Sequence, residues 1–177
     1  MRKYKRITPE FARKIFDYEG GNLIWKERLR SDFSSDAAHK IWNRKFPGKV
    51  AGYKSTDGYR HVRVDRENYI CHRIIWVYHF GEIPEGMQID HINHHRDDNR
   101  IRNLRLVTIR ENQMNTKPRK NTTSGHIGVC KFEWGWVARI HHKGKSVHLG
   151  MFKDKADAIK ARREAEEKFG FHQNHGL

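Results

Sequence analysis

Apolar residues in the first part of the chain change from helical spacing to alternation with polar residues. Residues 8–19 place aromatic and aliphatic side chains on one side of a helix. The pair Thr8-Pro9 suits a helix start, and the two glycines at 20–21 suit its end. Alternation over 22–26 predicts a strand, and the polar, basic stretch 28–43 predicts a loop.

The next segment, residues 46–71, has short alternating runs separated by turn residues. Its pattern predicts a small β-meander with strands at 49–53, 59–65 and 69–71. Residues 72–80 are apolar on most sides and stop at Gly81, which predicts a buried helix.

The stretch Ile89–Asn115, IDHINHHRDDNRIRNLRLVTIRENQMN, has a different organisation. Residues 93–102 are almost free of apolar side chains and predict a polar loop. Residues 104–107 predict a short strand, and Thr108-Ile-Arg-Glu111 has the form of a capping box that begins a helix. The predicted order is therefore strand, long polar loop, strand and helix.

Residues 116–123 are polar and basic around Pro118, and we interpret them as a linker. The predicted domains are 1–115, with a core at about 86–115, and 124–177. The second domain has alternating strands at 127–132, 136–142 and 146–149, followed by a helix over 154–169. The predicted class is α+β, ending in a small three-stranded antiparallel sheet packed on one helix.

Charge indicates the partner. The chain has 36 Lys and Arg against 21 Asp and Glu, a net charge of +15 and a pI of about 10.0. This balance favours a polyanion, and we expect double-stranded DNA. The sequence has no long apolar run or signal core, so we expect neither membrane binding nor export. Cys71 and Cys130 are far apart and suit reduced thiols in a cytoplasmic protein.

Candidate chemistry centres on Asp90 and His91. Asp90 can supply an anionic oxygen and Asn112 an amide oxygen to Mg²⁺, or to another divalent cation such as Mn²⁺. The imidazole of His91 can accept a proton from water near neutral pH. A zinc site using His91, His94 and His95 is an alternative, although a closed zinc set is not evident. A purely structural Asp-His pair is another.

The residues Asp90-His91-Ile92-Asn93, Asp98-Asn99, Asn103-Leu104-Arg105, Thr108, Asn112 and Asn115 carry a family pattern. The pattern resembles the HNH endonucleases with a ββα-metal site, especially the phage and intron-associated branch. The resemblance implies that Asp90 and Asn112 hold the metal, His91 activates water and Asn103 braces the loop. It also implies a homing-type enzyme, leaving 5′-phosphate and 3′-hydroxyl ends, in a bacterial host cytoplasm.

His94 departs from this pattern, because the family usually has glycine there in a turn that needs positive φ. A non-catalytic DNA-binding regulator that retains an HNH scaffold is therefore the alternative function.

Residues 124–177 resemble the plant ethylene-response-factor DNA-binding domain through Gly128-Val129, 136–140, 149–152 and the alanine-rich helix. By this resemblance the exposed sheet face lies in the major groove. The residues that would contact DNA are Trp134, Arg139, His141 and His148. Several arginine positions of the plant domains hold other residues here, namely Ile127, Cys130, Phe132 and Ser146. A basic, solvated sheet face without specific recognition is the alternative.

Overall fold

The computed structural model describes residues 7–115, 123–171 and 175. These residues form two compact units, which divide between Val107 and Thr108. The division lies before the predicted end of the nuclease region at residue 115. Apart from Thr123, the predicted linker 116–123 lies outside the described residues, so the domain boundaries drawn from the sequence stay predictions.

The first unit begins with helix α1, Pro9–Ile15, which Thr8 caps by accepting a hydrogen bond from the Phe11 amide at 3.2 Å. The helix start is confirmed, but the predicted extent to residue 19 is wrong. Strands β1 (Phe16–Glu19) and β2 (Asn22–Trp25) follow and pair antiparallel. Gly20 and Gly21 have φ of 56° and 99°, so they form a two-residue hairpin turn and do not end a helix.

A second helix, α2 (Asp36–Lys45), lies in the stretch predicted as a loop. Ser35 caps it by accepting from the Ala38 amide at 3.2 Å. Its Trp42 ring packs edge-on against Trp25 at 5.0 Å between centroids. The loop prediction was wrong because Trp42, together with Phe46 at the end of the helix, packs against Trp25 and anchors a segment with few other apolar residues.

The predicted meander is confirmed in its central and last strands. Strands β3 (Tyr53–Lys54), β4 (Arg60–Val64) and β5 (Glu67–Ile70) form an antiparallel sheet in that order. The first strand is shorter and later than predicted. Helix α3, Cys71–Phe80, follows and ends at Gly81. Its residues Cys71, Ile74 and Ile75 join the core of the first unit, which also contains residues of α1, β1, β2, β4 and β5.

Strand β6 (Met87–His91) pairs with strand β7 (Leu104–Thr108), with a 3₁₀ turn at Ile101–Asn103 just before β7. Ile89 and Leu104 anchor the two strands in the core of the first unit. The long polar loop between the strands is therefore fixed at both ends, and the predicted order of strand, polar loop and strand is confirmed.

The second unit contains helix α4 (Ile109–Gln113), strands β8 (Val129–Phe132), β9 (Gly135–His142) and β10 (Lys145–Phe152), and helix α5 (Lys155–Lys168). The capping box of Thr108 and Glu111 is confirmed. The three strands form the predicted antiparallel sheet with β9 in the centre, and α5 packs on β9 and β10. Strand β10 is longer than predicted, with a bulge between His148 and Gly150.

The core of the second unit is small and contains a buried cation. Val129, Ala138 and Ala158 are its buried apolar centre, and Trp136 packs against them partly buried. Arg162 of α5 is 4% exposed and donates to the carbonyls of Ile127 and Arg139 at 3.1 and 3.2 Å. The alanine-rich composition of this helix supplies small buried residues such as Ala158 and Ala165, but it does not indicate the buried arginine.

Within the described ranges, no helix is both long and apolar enough to span a membrane.

Candidate active site

Asp90 and His91 are the last two residues of β6, and both side chains are buried, at 8% and 4% exposure. Ile89, one residue earlier in the strand, belongs to the core of the first unit. Two polar groups side by side at a buried strand end need hydrogen-bonding partners, because unpartnered burial is costly. The partners come from the following loop and from β7.

Asn103 and Asn93 hold the loop together. The Asn103 side chain accepts from the Asn93 amide at 3.0 Å and donates to the Asn93 Oδ1 at 2.9 Å. It also donates to the carbonyl of Asp98 at 2.7 Å. Asn103 is 7% exposed, so these bonds are shielded from water. This geometry suits the loop-bracing role that the family resemblance implies for Asn103.

His94 occupies the turn directly after the Asp-His pair. Its φ is 61°, in the left-handed region, and its amide donates to the His91 carbonyl at 2.9 Å. The sequence-based expectation of positive φ at this position is confirmed. The turn therefore forms with histidine in place of glycine.

The His91 ring is enclosed on several sides. Its Nε2 lies 2.9 Å from the Asn99 Oδ1, and its ring lies edge-to-face with His72 at 4.9 Å between centroids. The centroid of the Tyr59 ring lies 5.9 Å from that of the His91 ring. Burial lowers the pKa of His91, against the opposing effects of the Asn99 bond and of nearby carboxylates. His91 is therefore neutral at pH 7 and able to accept a proton.

His72 is the second residue of α3. Its ring contacts both His91 and Tyr59. Burial, together with the charges of His91, Arg73 and His61, holds the pKa of His72 well below its usual value. A neutral His72 therefore places no positive charge beside the His91 ring.

Arg105 of β7 is the partner of Asp90. Its Nε and one terminal nitrogen donate to the same carboxylate oxygen, Oδ2, at 2.9 and 2.8 Å. This pair orients the carboxylate at the strand end. Asn99 and Arg105 were given no role in the sequence prediction, although both lie within the recognised pattern.

The donor set suits a hard cation better than zinc. Across the described residues, no group of three or more His, Cys, Asp or Glu side chains is arranged to hold a metal. Zinc favours such a closed set, whereas Mg²⁺ is held by one or two carboxylates with water and substrate oxygens. Asp90 is a carboxylate of this kind. Asn112 lies in α4, which belongs to the second unit, and its role as the second ligand stays a prediction.

The predicted DNA-contacting residues of the second unit are all exposed. Arg139 and His141 lie on the same face of β9, and His148 of β10 is paired with Arg139 in the sheet register. Trp134, in the turn before β9, is 81% exposed. Arg139 and His141 also line a cavity of about 680 Å³ in this unit. Three of the four predicted residues therefore share a surface, and their contact with DNA stays a prediction.

The class of the first site is defined by comparison with known families. Residues 69–114 match the family model described as HNH endonuclease. The chain thus contains an HNH endonuclease domain, and the match includes Asp90, His91, Asn99, Asn103 and Asn112. The match does not extend to residues 124–177, so the resemblance to the ethylene-response-factor domain gains no support from it.

Three curated proteins are similar to this chain. YosQ of Bacillus subtilis (strain 168), named as an SPbeta prophage-derived HNH homing endonuclease, is 39% identical over 57 residues, which are 32% of this chain and 33% of YosQ. Protein 3.8 of Escherichia phage T7 is 36% identical over 76 residues, 42% of this chain and 63% of that protein. The uncharacterized HNH endonuclease L560 of Acanthamoeba polyphaga mimivirus is 36% identical over 104 residues, 58% of this chain and 50% of L560.

These matches therefore span between about a third and 63% of the relatives' own lengths. No solved structure gives a significant match.

Proposed function

We propose that this protein is a metal-dependent DNA endonuclease of the HNH type, encoded by a phage or a related mobile element. The observation that carries the proposal is the placement of His91. It is buried and neutral, lies next to Asp90 at the end of β6, and directly precedes a braced loop inside the region matched by the HNH family model. A phage-related origin is supported by the names of the B. subtilis and T7 relatives.

In the proposed reaction, His91 accepts a proton from a water molecule as the water oxygen attacks the scissile phosphorus. The bond from phosphorus to the 3′ oxygen breaks, and that oxygen leaves as a 3′-hydroxyl after it gains a proton from solvent. The other product carries a 5′-phosphate.

Asp90 and Asn112 would hold a divalent cation, Mg²⁺ or Mn²⁺. When bound, the cation stabilises the negative charge on the leaving oxygen. Asn103 contributes by holding the loop that follows His91, through its bonds to Asn93 and Asp98. Arg105 keeps the Asp90 carboxylate oriented through Oδ2.

The substrate in this proposal is double-stranded DNA, which the net charge of +15 favours. The exposed face with Arg139, His141 and His148, and the nearby Trp134, would contact DNA as the ethylene-response-factor resemblance implies. The proposed domains remain 1–115 and 124–177, joined by 116–123, and the proposed location is the bacterial host cytoplasm.

The non-catalytic alternative depended on His94 disrupting the loop. Because His94 adopts φ of 61° and its amide bonds to His91, this substitution gives no reason to expect an inactive scaffold.

Incubation with supercoiled plasmid tests the proposal. We expect nicked or linear product with Mg²⁺ or Mn²⁺, and none with a chelator. Asp90→Ala should lose cleavage, and Asn112→Asp should retain more activity than Asn112→Ala because it still offers a ligand oxygen. Binding of each variant to duplex DNA, measured with the chelator present, is the matched control and should be unchanged. Metal-independent cleavage, or full activity of Asp90→Ala, would contradict the proposal.

A further inference from the structure

Asn99 is hydrogen-bonded to the His91 ring, and neither the family resemblance nor the proposed metal ligands give this bond a role. Its Oδ1 lies 2.9 Å from the His91 Nε2, and Asn99 is only 2% exposed. Among the residues that the structure describes, the Nδ2 of Asn99 has no hydrogen-bond partner. Within the described residues, the Asn99 side-chain amide therefore forms its hydrogen bond through Oδ1, to His91.

The backbone around Asn99 is fixed, so the amide has a defined position. On one side, Asn103 donates to the Asp98 carbonyl at 2.7 Å. On the other, the Ile101 amide donates to the Tyr18 hydroxyl at 2.9 Å. The turn at Gly21 packs so closely that a Cβ there would lie 2.8 Å from the Arg100 nitrogen. These contacts hold residue 99 against the His91 ring.

The contact determines which ring nitrogen can accept a proton. An amide oxygen only accepts hydrogen bonds, so Nε2 must carry the hydrogen in this pair. A neutral imidazole has one N–H, and the lone pair is then on Nδ1. We infer that Asn99 is a positioning residue that holds His91 as the Nε2–H tautomer, leaving Nδ1 as the atom that takes the proton from water. This inference rests on the proposed role of His91 as the base.

The opposite orientation of the amide makes the opposite prediction. If the NH₂ group of Asn99 faced Nε2, it would donate to the ring, and His91 would carry its hydrogen on Nδ1. The lone pair would then be engaged by Asn99 and not directed at water.

Nitrogen NMR distinguishes the two tautomers without any measurement of activity. The full chain, labelled with ¹⁵N-histidine, is studied at pH 8 by long-range ¹H–¹⁵N correlation, and the His91 signals are assigned by their loss in His91→Gln. We expect the Nε2–H pattern for His91 in the wild type and in Asn99→Asp, which retains an acceptor oxygen. Asn99→Leu should give a mixture of the two tautomers. A wild-type Nδ1–H pattern, or an unaltered Nε2–H pattern in Asn99→Leu, overturns the inference.

Kinetics supply the second readout. We expect Asn99→Leu to lower kcat of plasmid cleavage by about 10- to 100-fold with KM little changed, by analogy with the loss of groups that orient catalytic or metal-bound histidines. Asn99→Asp should recover most of kcat.

The matched control is Asn43→Leu. Asn43 accepts from the Arg28 amide and donates to the Arg28 carbonyl at 3.0 and 2.9 Å, so its loss removes partly buried bonds without touching His91. Equal losses of kcat in Asn99→Leu and Asn43→Leu would overturn the positioning role. If the wild type does not cleave DNA, the proposed function fails, and the NMR result still decides the tautomer.

Discussion

Removing the Asn103 side chain should destabilise the first unit more than an ordinary polar substitution. Asn103→Ala removes three hydrogen bonds, two to Asn93 and one to the Asp98 carbonyl. Each contributes about 0.5–1.5 kcal/mol net, so we expect a loss of roughly 3 kcal/mol in the free energy of unfolding. The loss should not fall to the low end of the roughly 1.5–4.5 kcal/mol that three such bonds span, because the site is 7% exposed and the remaining groups cannot reach water easily.

Urea unfolding of the full chain, combined with hydrogen exchange of peptides from Met87–His91 and Leu104–Thr108, measures this loss. With m of about 1–3 kcal/mol/M, the midpoint should fall by roughly 1–3 M. Asn103→Asp retains an oxygen for the Asn93 amide but places a second oxygen against the Asp98 carbonyl, so it should not restore stability. Asn68→Ala, an exposed position in β5, is the control and should change stability by less than about 0.5 kcal/mol. A loss for Asn103→Ala no larger than this control would refute the loop-bracing account.

Three further outcomes follow from buried or exposed charges. Because the pKa of His72 is lower in the folded chain than in the unfolded one, the unfolded chain binds the proton more readily. The contribution of neutral His72 to stability should therefore be present above a pH of about 6.5 and be lost as the pH falls below it. The urea midpoint of His72→Gln should fall less than that of the wild type over the same pH range, and an equal fall in both proteins would contradict this. Arg162→Met should destabilise the second unit by about 3–5 kcal/mol in thermal unfolding because it removes one partner of the buried Arg162–Glu166 ion pair, whereas exposed Arg163→Met should not. Arg139→Gln should weaken duplex binding and reduce the slope of log K against log salt by about 0.9, whereas an unchanged slope would remove Arg139 as a phosphate contact.

Local signals in the sequence predicted the parts of the site that depend on neighbouring residues. The positive φ of His94 was expected from the glycine that the resembled family has at this position. The capping box at Thr108 and the strand ends around the polar loop follow from residues within a few positions. These are short-range effects of backbone geometry and side-chain capping. The sequence therefore predicted the order of elements from β6 to α4.

Long-range contacts account for what the sequence did not predict. The helix α2 depends on Trp42 packing against Trp25, and the hairpin at Gly20 and Gly21 depends on pairing of β1 with β2. His72 comes to lie on His91 only when α3 packs beside β6. A buried polar residue such as Arg162 has no signature in a pattern of apolar positions.

Single-turnover cleavage of supercoiled plasmid by the wild type, His91→Ala and His95→Ala tests the central claim most directly. His95 is an exposed neighbour in the same loop, and its amide, not its ring, bonds to Asn93. With Mg²⁺ at pH 8, we expect His91→Ala to cleave about 10²–10⁴-fold more slowly than the wild type, with duplex binding retained, and His95→Ala to cleave at close to the wild-type rate. Cleavage by His91→Ala at the wild-type rate would contradict the assignment of His91 as the base and, with it, the proposed active site.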